Sequence, residues 1–494
     1  MTSQSTPPEP PKELKDKLIP DELVTTEHEV VIGGEVVRYR ATSGLVSLNR
    51  EASEDGVSKG VKTVARLFVT AYTRLGEHDP AERPITFAYN GGPGSSSVWL
   101  HLGTFGPRRV VMGDEGEPLA APYRLTDNEH SLLDVTDLVF IDPVSTGWSR
   151  PAEGEKAKDF HGYQQDLESV GDLIREWLGR EDRWLSPKFL AGESYGTTRS
   201  AGLSGYLQNR HGIFLTGIML VSSVLDFTTL HFNVGNDLPP LLYLPSYAAT
   251  AHFHGALRRE HQEKPLEEFL REVEEFTLER YSLALLKGAR LGAEERAAVA
   301  RQVADYTGTS PEFVERNNLR LALPRFTKEL LRNERKTVGR LDSRYLGFDR
   351  DAGGEQFEYD PSMSAIQEPF TAAWNAYVRT ELGFRLTPDV TYEILTSLYG
   401  TWDYSQFTGR YVNVADTLRH AMSVNRKLRV HVASGYYDLA TPYFATEHTL
   451  NHLGLEEELR ANITTSTYEA GHMMYVRRED LAGLKAALAA FVAG

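Results

Sequence analysis

Cysteine is absent from all 494 residues. That absence excludes disulfides, thiolate nucleophiles and thiolate metal sites together. Also missing is any uninterrupted apolar run of the ~20 residues that a membrane-spanning helix needs. Positive charge is in deficit, with Lys plus Arg at 53 against Asp plus Glu at 69, a formal charge of −16. Such a surface repels phosphate backbones, which argues against a nucleic-acid partner. Residues 1–22 hold no apolar segment of the kind a secretory signal carries, so the expectation is a soluble, cytoplasmic protein. Histidine clusters are lacking too. His252 and His254 stand at i and i+2, which do not share a helix face, and the stretch 349–354 lacks the third oxygen ligand of a calcium loop. No metal and no cofactor are expected, and nothing speaks to oligomeric state.

What is present is an ordinary globular balance, 41% hydrophobic and 25% charged. Residues 1–24, rich in Pro, Ser, Lys and Glu, read as a flexible tail. Apolar segments at 29–32 and 35–40 flank Gly33-Gly34 as a hairpin, and strands follow at 64–72 and 84–89, giving an antiparallel opening. From Asn90 the rhythm becomes α/β. Residues 137–141 form an apolar strand without polar alternation, and Leu167, Val170, Leu173, Ile174, Trp177 and Leu178 mark an amphipathic helix. Two successive strand–helix–strand units imply a parallel, right-handed sheet, so the first part of the core spans 25–226. Residues 227–386 are mostly amphipathic helix, expected as a cap over the sheet's active edge. The α/β rhythm returns over 387–494, with strands at 428–433 and 462–468 and a closing helix through Leu481, Leu484 and Leu488.

The organising stretch is Gly192-Glu193-Ser194-Tyr195-Gly196. It lies between a short apolar strand and a helix over 197–208, the context that a G-x-S-x-G nucleophile elbow requires. A serine hydroxyl at neutral pH is a weak nucleophile and needs a base, and the base needs an orienter. Both are expected on loops after later strands. Asp438 follows the strand at 428–433, and His472 follows the strand at 462–468. Asp226 is the rival acid; His431, His448 and His452 are rival bases with mid-strand or helical placement. Donors for the developing oxyanion are available from the Gly-rich loop Asn90-Gly91-Gly92-Pro93-Gly94 and from the Tyr195 N–H. A phosphate-binding reading of that loop is the weaker alternative, because no lysine follows and Pro93 removes a donor.

These blocks resemble the serine carboxypeptidase family. Asn90-Gly91-Gly92-Pro93-Gly94-Ser95-Ser96-Ser97 is similar to N-G-G-P-G-C-S-S, and Asp142-Pro143-Val144-Ser145-Thr146-Gly147-Trp148-Ser149 to D-x-P-x-G-T-G-F-S. Gly192-Glu193-Ser194-Tyr195-Gly196 matches G-E-S-Y-A/G, and Ala470-Gly471-His472-Met473 matches A-G-H-M. The resemblance implies an α/β-hydrolase fold, mostly parallel with antiparallel N-terminal strands and a helical cap. It implies Ser194, Asp438 and His472 as a triad, and Gly92 and Tyr195 N–H groups as the oxyanion hole. Asn90, Gly91 and Glu193 are implied at the substrate's C-terminal carboxylate. Thr104 stands where the family's E-L-G-P block carries a second acid, and Ala88 stands where a tryptophan is usual.

The expected function is a serine-type carboxypeptidase acting on peptides or small acyl substrates through an acyl-enzyme. An esterase or acyltransferase on the same scaffold is the alternative, and a non-catalytic binding protein a more distant one.

Overall fold

The computed structural model describes residues 17–76 and 79–494. Of the tail expected over 1–24, residues 1–16 lie outside the described part. The remainder is docked. Lys17 bridges to Lys62, the Ile19 N–H donates to Thr63 Oγ1, and a strand begins at Glu22. Polar composition suits a free tail, but it equally suits an edge strand whose outer face meets water.

Three long strands open the chain: β1 (Glu22–Ile32), β2 (Glu35–Glu54) and β3 (Val57–Arg74). Ile32 pairs with Glu35 across Gly33-Gly34, both of positive φ, so the hairpin turn falls where the glycines put it. The rest of the sheet comes from β4 (Ile85–Tyr89), β5 (Asp137–Ile141), β6 (Lys188–Ser194), β7 (Gly217–Ser223), β8 (Arg429–Gly435) and β9 (Ile463–Tyr468), with a two-residue strand, Arg150–Pro151, pairing with β3 beside the main run. Their order is β1-β2-β3-β5-β4-β6-β7-β8-β9. Pairing is antiparallel through β3–β5 and parallel from β5–β4 onward. The chain leaves β4 toward one edge, returns, and continues from β6 toward the other. Crevices at the carboxyl ends of strands form at such a reversal.

Both faces of the parallel part are covered, so its inner strands β4, β5 and β7 are buried along their whole length, whereas the edge strand β9 is mostly Thr and Ser and partly exposed. On one face, α1 (Tyr163–Arg180) and α2 (Tyr195–His211) pack with α7 (Ala415–Val424). On the other face lie α6 (Pro361–Thr380) and the closing helix α9 (Arg478–Ala493). A third cluster belongs to the helices of the expected cap: α3 (Leu238–Phe253), α4 (Leu266–Phe276) and α5 (Ala293–Thr307). α4 buries Leu266, Phe269, Leu270, Val273 and Phe276 on one stripe, whereas α3 is apolar all round and is buried beneath the others. This cluster meets the core through Tyr437, Leu439 and α8 (Tyr443–Asn451).

Within 227–386 the helices therefore have two destinations. α6 joins the sheet-face core through Ile366, Phe370, Trp374 and Tyr377, and the Tyr377 hydroxyl bonds to that of Tyr72 on β3 at 2.9 Å. Amphipathic spacing reports that a stripe is buried without naming what buries it. After α6, the chain bridges in turn to the loops beyond β5, β4 and β7, pairing Glu393 with Gly147, Leu395 with Ser95 and Asn413 with Asp226. It thus runs across the carboxyl ends of the strands.

Candidate active site

Ser194 ends β6 and precedes α2 with φ +60°, a conformation costly for any residue except glycine. The turn is possible because Gly192 has no side chain: a Cβ there would lie 2.2 Å from the Gly196 carbonyl oxygen. Ser194 sits at the N-cap position of α2, yet its side chain caps nothing, and it is half-buried among fully buried neighbours. Its hydroxyl is presented to a cavity of about 620 Å³ at the carboxyl ends of the strands.

His472 lines the same cavity. Its Nδ1 bonds to Asp438 Oδ2 at 2.7 Å, and Asp438 is wholly buried. Asp438 Oδ1 accepts from the Ala440 and Thr441 N–H groups at 2.7 and 3.0 Å, and Oδ2 accepts the Thr441 hydroxyl at 2.7 Å. With Nδ1 committed to Asp438, Nε2 is the nitrogen left for a serine hydroxyl. Burial alone would depress the imidazole. The Asp438 carboxylate, by charge and by hydrogen bond, outweighs that and holds His472 above the usual histidine value, with Glu193 adding to it.

The rivals are occupied elsewhere. Asp226 caps the short helix after it by accepting from the Thr228 N–H. His431 bonds to Thr464 and Ser466 on the neighbouring strand, and His448 lies against His452. Among the described residues no group of three His, Asp or Glu side chains could hold a metal ion.

The loop after β4 supplies the other wall. Gly91 packs so close to the elbow that a Cβ would lie 2.4 Å from the Tyr195 nitrogen, and Gly91 and Gly92 both line the cavity. The loop is anchored from beneath. Ser97 donates to Asp142 Oδ1 from both N–H and hydroxyl at 2.8 Å, and Tyr392 donates to Asp142 Oδ2 at 2.7 Å. Asn90 Oδ1 accepts the Leu100 N–H at 3.1 Å, and its Nδ2 donates to Glu193 Oε1 at 2.9 Å. Burial pushes the Glu193 carboxyl up to about 7, against the opposing pull of His472 and of hydrogen bonds from Tyr475 and Asn90. Near neutral pH both the protonated and the ionised form of Glu193 are therefore populated.

Two features differ from the sequence expectation or escape it. Thr104 is buried in the short helix His101–Phe105 and is not among the residues lining the cavity. The hydroxyl that meets Glu193 is that of Tyr475, which donates to Oε2. The Tyr475 ring lies against Gly103, where a Cβ would come within 2.3 Å of it, and so fills the space beside Glu193. Second, a short ladder pairs Thr337–Val338 with Leu346–Gly347, and its loop inserts between the acid and base loops. The Leu439 N–H donates to the Arg340 carbonyl at 3.0 Å, the His472 N–H to the Leu341 carbonyl at 2.6 Å, and the Gly471 N–H to Asp342 Oδ2 at 3.1 Å. The Ser343 N–H donates to the Tyr437 carbonyl at 3.0 Å. The only sequence signal for Tyr475 was its place three residues after His472. The loop 339–343 had none.

The sequence model of the serine carboxypeptidase family matches residues 65–487. Among individual proteins, the chain is 26% identical over 169 residues to serine carboxypeptidase-like 1 of Arabidopsis thaliana, covering 31% of this chain and 35% of that one. It is 26% identical over 231 residues to serine carboxypeptidase-like 2 of the same plant, covering 43% of this chain and 48% of the relative. The chain thus matches less than half the length of either relative. Among solved structures, it is similar to Kex1(Δ)p, a prohormone-processing carboxypeptidase from Saccharomyces cerevisiae. That likeness has a TM-score of 0.55 and 16% identity, and covers 92% of this chain and 91% of the other. The fold is an α/β-hydrolase fold.

Proposed function

The chain belongs to the serine carboxypeptidase family, and from that premise we propose that it removes C-terminal residues from peptides through an acyl-enzyme. The observation that carries this reading is the buried Asp438–His472 pair opening on the cavity to which the uncommitted Ser194 hydroxyl is presented. Ser194 Oγ attacks the scissile carbonyl while His472 Nε2 takes its proton. The oxyanion so formed is stabilised by the Gly92 and Tyr195 N–H groups. His472 then returns the proton to the leaving amine, and water attacks the acyl-serine by the same route. Asn90 and Glu193 receive the substrate's terminal carboxylate, with Gly91 beside them.

A second reading, ester hydrolysis or acyl transfer, is favoured by one observation: Glu193 is the only carboxylic acid lining the cavity among the described residues. A blocked dipeptide and a matched small ester separate the two. Release of the terminal amino acid, lost in Ser194→Ala, is the expected result, with a fluorophosphonate probe labelling Ser194 alone. Ester turnover with an untouched dipeptide would favour the second reading, and labelling that persists in Ser194→Ala would sink both.

The carboxylate role of Glu193 predicts a pH signature. Protonated, it donates to a terminal carboxylate; ionised, it repels one. The group titrates at about 7, so kcat/KM on a free-acid peptide is expected to fall above that pH by about tenfold per unit. The acid limb is set by His472, held above its ordinary value. The C-terminal amide of the same peptide should lack the alkaline fall. Tyr475 bonds to the ionised form and so lowers Glu193; Tyr475→Phe should move the fall to higher pH. Identical alkaline limbs for acid and amide would mean that Glu193 does not face the terminus.

A further inference from the structure

The proposed reaction leaves one charged group of the cavity unused. Arg340 is the only lysine or arginine among the described residues lining it. Its backbone is fixed on both sides: the N–H donates to Asp360 Oδ1 at 3.0 Å and the carbonyl accepts from Leu439 at 3.0 Å. The next residue, Leu341, is held by His472 through its carbonyl and by Ser362 Oγ through its N–H at 3.0 Å. The Arg340 guanidinium, by contrast, makes no hydrogen bond. Its nearest carboxylate is Asp360, with Nε 3.7 Å from Oδ2, beyond hydrogen-bond reach. The Asp360 oxygens are already taken by the N–H groups of Arg340, Leu341 and Ser362 and by the Ser362 hydroxyl. The guanidinium bears electrostatically on His472 and on Tyr243, both of which line the cavity. Its side chain is 40% exposed.

A planar fork on a rigid backbone, free of hydrogen bonds, held by Asp360 only through a long 3.7 Å ion pair and half open beside the reacting groups, matches a carboxylate in geometry and in charge. Resting on the carboxypeptidase reading above, we propose that Arg340 is a specificity residue that pairs with a carboxylate side chain of the substrate. The preferred peptides then carry Asp or Glu next to the scissile bond. The protein's negative net charge does not oppose this at close range, since charges farther than about 8 Å are screened at physiological ionic strength. Glu193 is spoken for by Asn90 and Tyr475, and it faces the terminal carboxylate in that reading, so the two groups divide two carboxylates between them.

The test measures binding apart from turnover. Calorimetry on the Ser194→Ala protein compares blocked dipeptides that differ only as Glu against Gln, at the terminal and at the penultimate position. Turnover of the same peptides by the Ser194 enzyme is followed in parallel. At one of the two positions Glu is expected to bind about 10- to 100-fold tighter than Gln. Arg340→Gln should abolish the preference and Arg340→Lys should retain part of it, which a merely misfolded variant would not do. No preference at either position, or one that survives Arg340→Gln, overturns the proposal. So does an equal loss for Glu and Gln peptides, which would assign Arg340 to the terminal carboxylate. Peptides that bind with the preference but are never cleaved would refute the carboxypeptidase reading and leave this one standing. Cleavage without preference would do the reverse.

Discussion

Asp438→Asn is expected to lower kcat by about 10⁴ on peptide and small ester alike, while leaving the protein folded. The reason lies in which oxygen is held by what. Oδ1 accepts two backbone N–H groups, from Ala440 and Thr441, and only the carbonyl oxygen of an asparagine can replace it there. The asparagine NH₂ is then forced into the Oδ2 position, facing His472 Nδ1. A donor facing Nδ1 keeps the imidazole proton on Nε2, and an Nε2–H cannot accept the proton of Ser194. The backbone bonds survive, so the melting temperature should change little. His472→Ala should cost activity on the same scale, but with a loss of stability. Although both groups sit on loops, His472 is 4% exposed and Asp438 is wholly buried, so alanine leaves a void and a buried carboxylate that has lost its imidazole partner and keeps only the Ala440 and Thr441 donors. Turnover of a small ester, read beside thermal melts, distinguishes the two variants. Asp438→Asn activity within a few-fold of the parent would refute the triad, because Asp226 is committed to its own helix cap and cannot stand in.

The legible part of this site is the part encoded locally. A strained serine between a strand and a helix needs glycines at fixed offsets, so the elbow was readable from consecutive residues, as was the glycine-rich loop after β4. The pairing of Asp438 with His472 was readable because both residues follow strand ends in chain order. The groups that escaped come from segments whose neighbours are set by packing alone. Tyr475 reaches Glu193 because its ring settles on Gly103, and no spacing rule relates residues 103, 193 and 475. Thr104 occupies the aligned position of a family acid but is not at the cavity wall, since alignment fixes a place in the chain and not what lies beside it. Arg340 and Asp342 sit in the loop of a two-stranded ladder within mostly helical sequence, too short to leave a period. The same limit explains α6, whose amphipathic stripe was plain and whose partner was not. The N-terminal strand shows the converse: its polar outer face resembled a tail because water, not protein, covers it.

Arg199→Ala is expected to destabilise the protein by about 3–5 kcal/mol, because it strands a charge in the core beneath the site. Arg199 on α2 and Asp166 on α1 are 1% and 2% exposed, and Nε donates to Asp166 Oδ2 at 2.7 Å. The guanidinium also lies over the rings of Tyr89 and Tyr195, at 5.0 and 5.3 Å, and its Nη1 donates to the Asn90 carbonyl at 2.6 Å. One side chain therefore joins two helices to the first residue of the glycine-rich loop after β4. Removing it leaves Asp166 without its cation where burial already pushes the carboxyl up. With its folded pKa above the unfolded one, Asp166 favours the folded state below the unfolded value and loses that contribution as pH rises through the folded value. The destabilisation of Arg199→Ala should accordingly grow from acid toward neutral pH. Replacing both members, as Arg199→Leu with Asp166→Leu, should restore most of the stability, since a buried pair exchanged for apolar groups is often neutral. Catalysis should not return with it, because the Asn90 carbonyl still lacks its donor and the loop that holds Gly92 is free to shift. Denaturant midpoints across pH, with kcat on a small ester for both variants, give the answer. A single variant within about 1 kcal/mol of the parent, the range of a surface ion pair, would mean that the core tolerates the lone carboxylate. A double variant with full activity would show that the arginine serves stability alone.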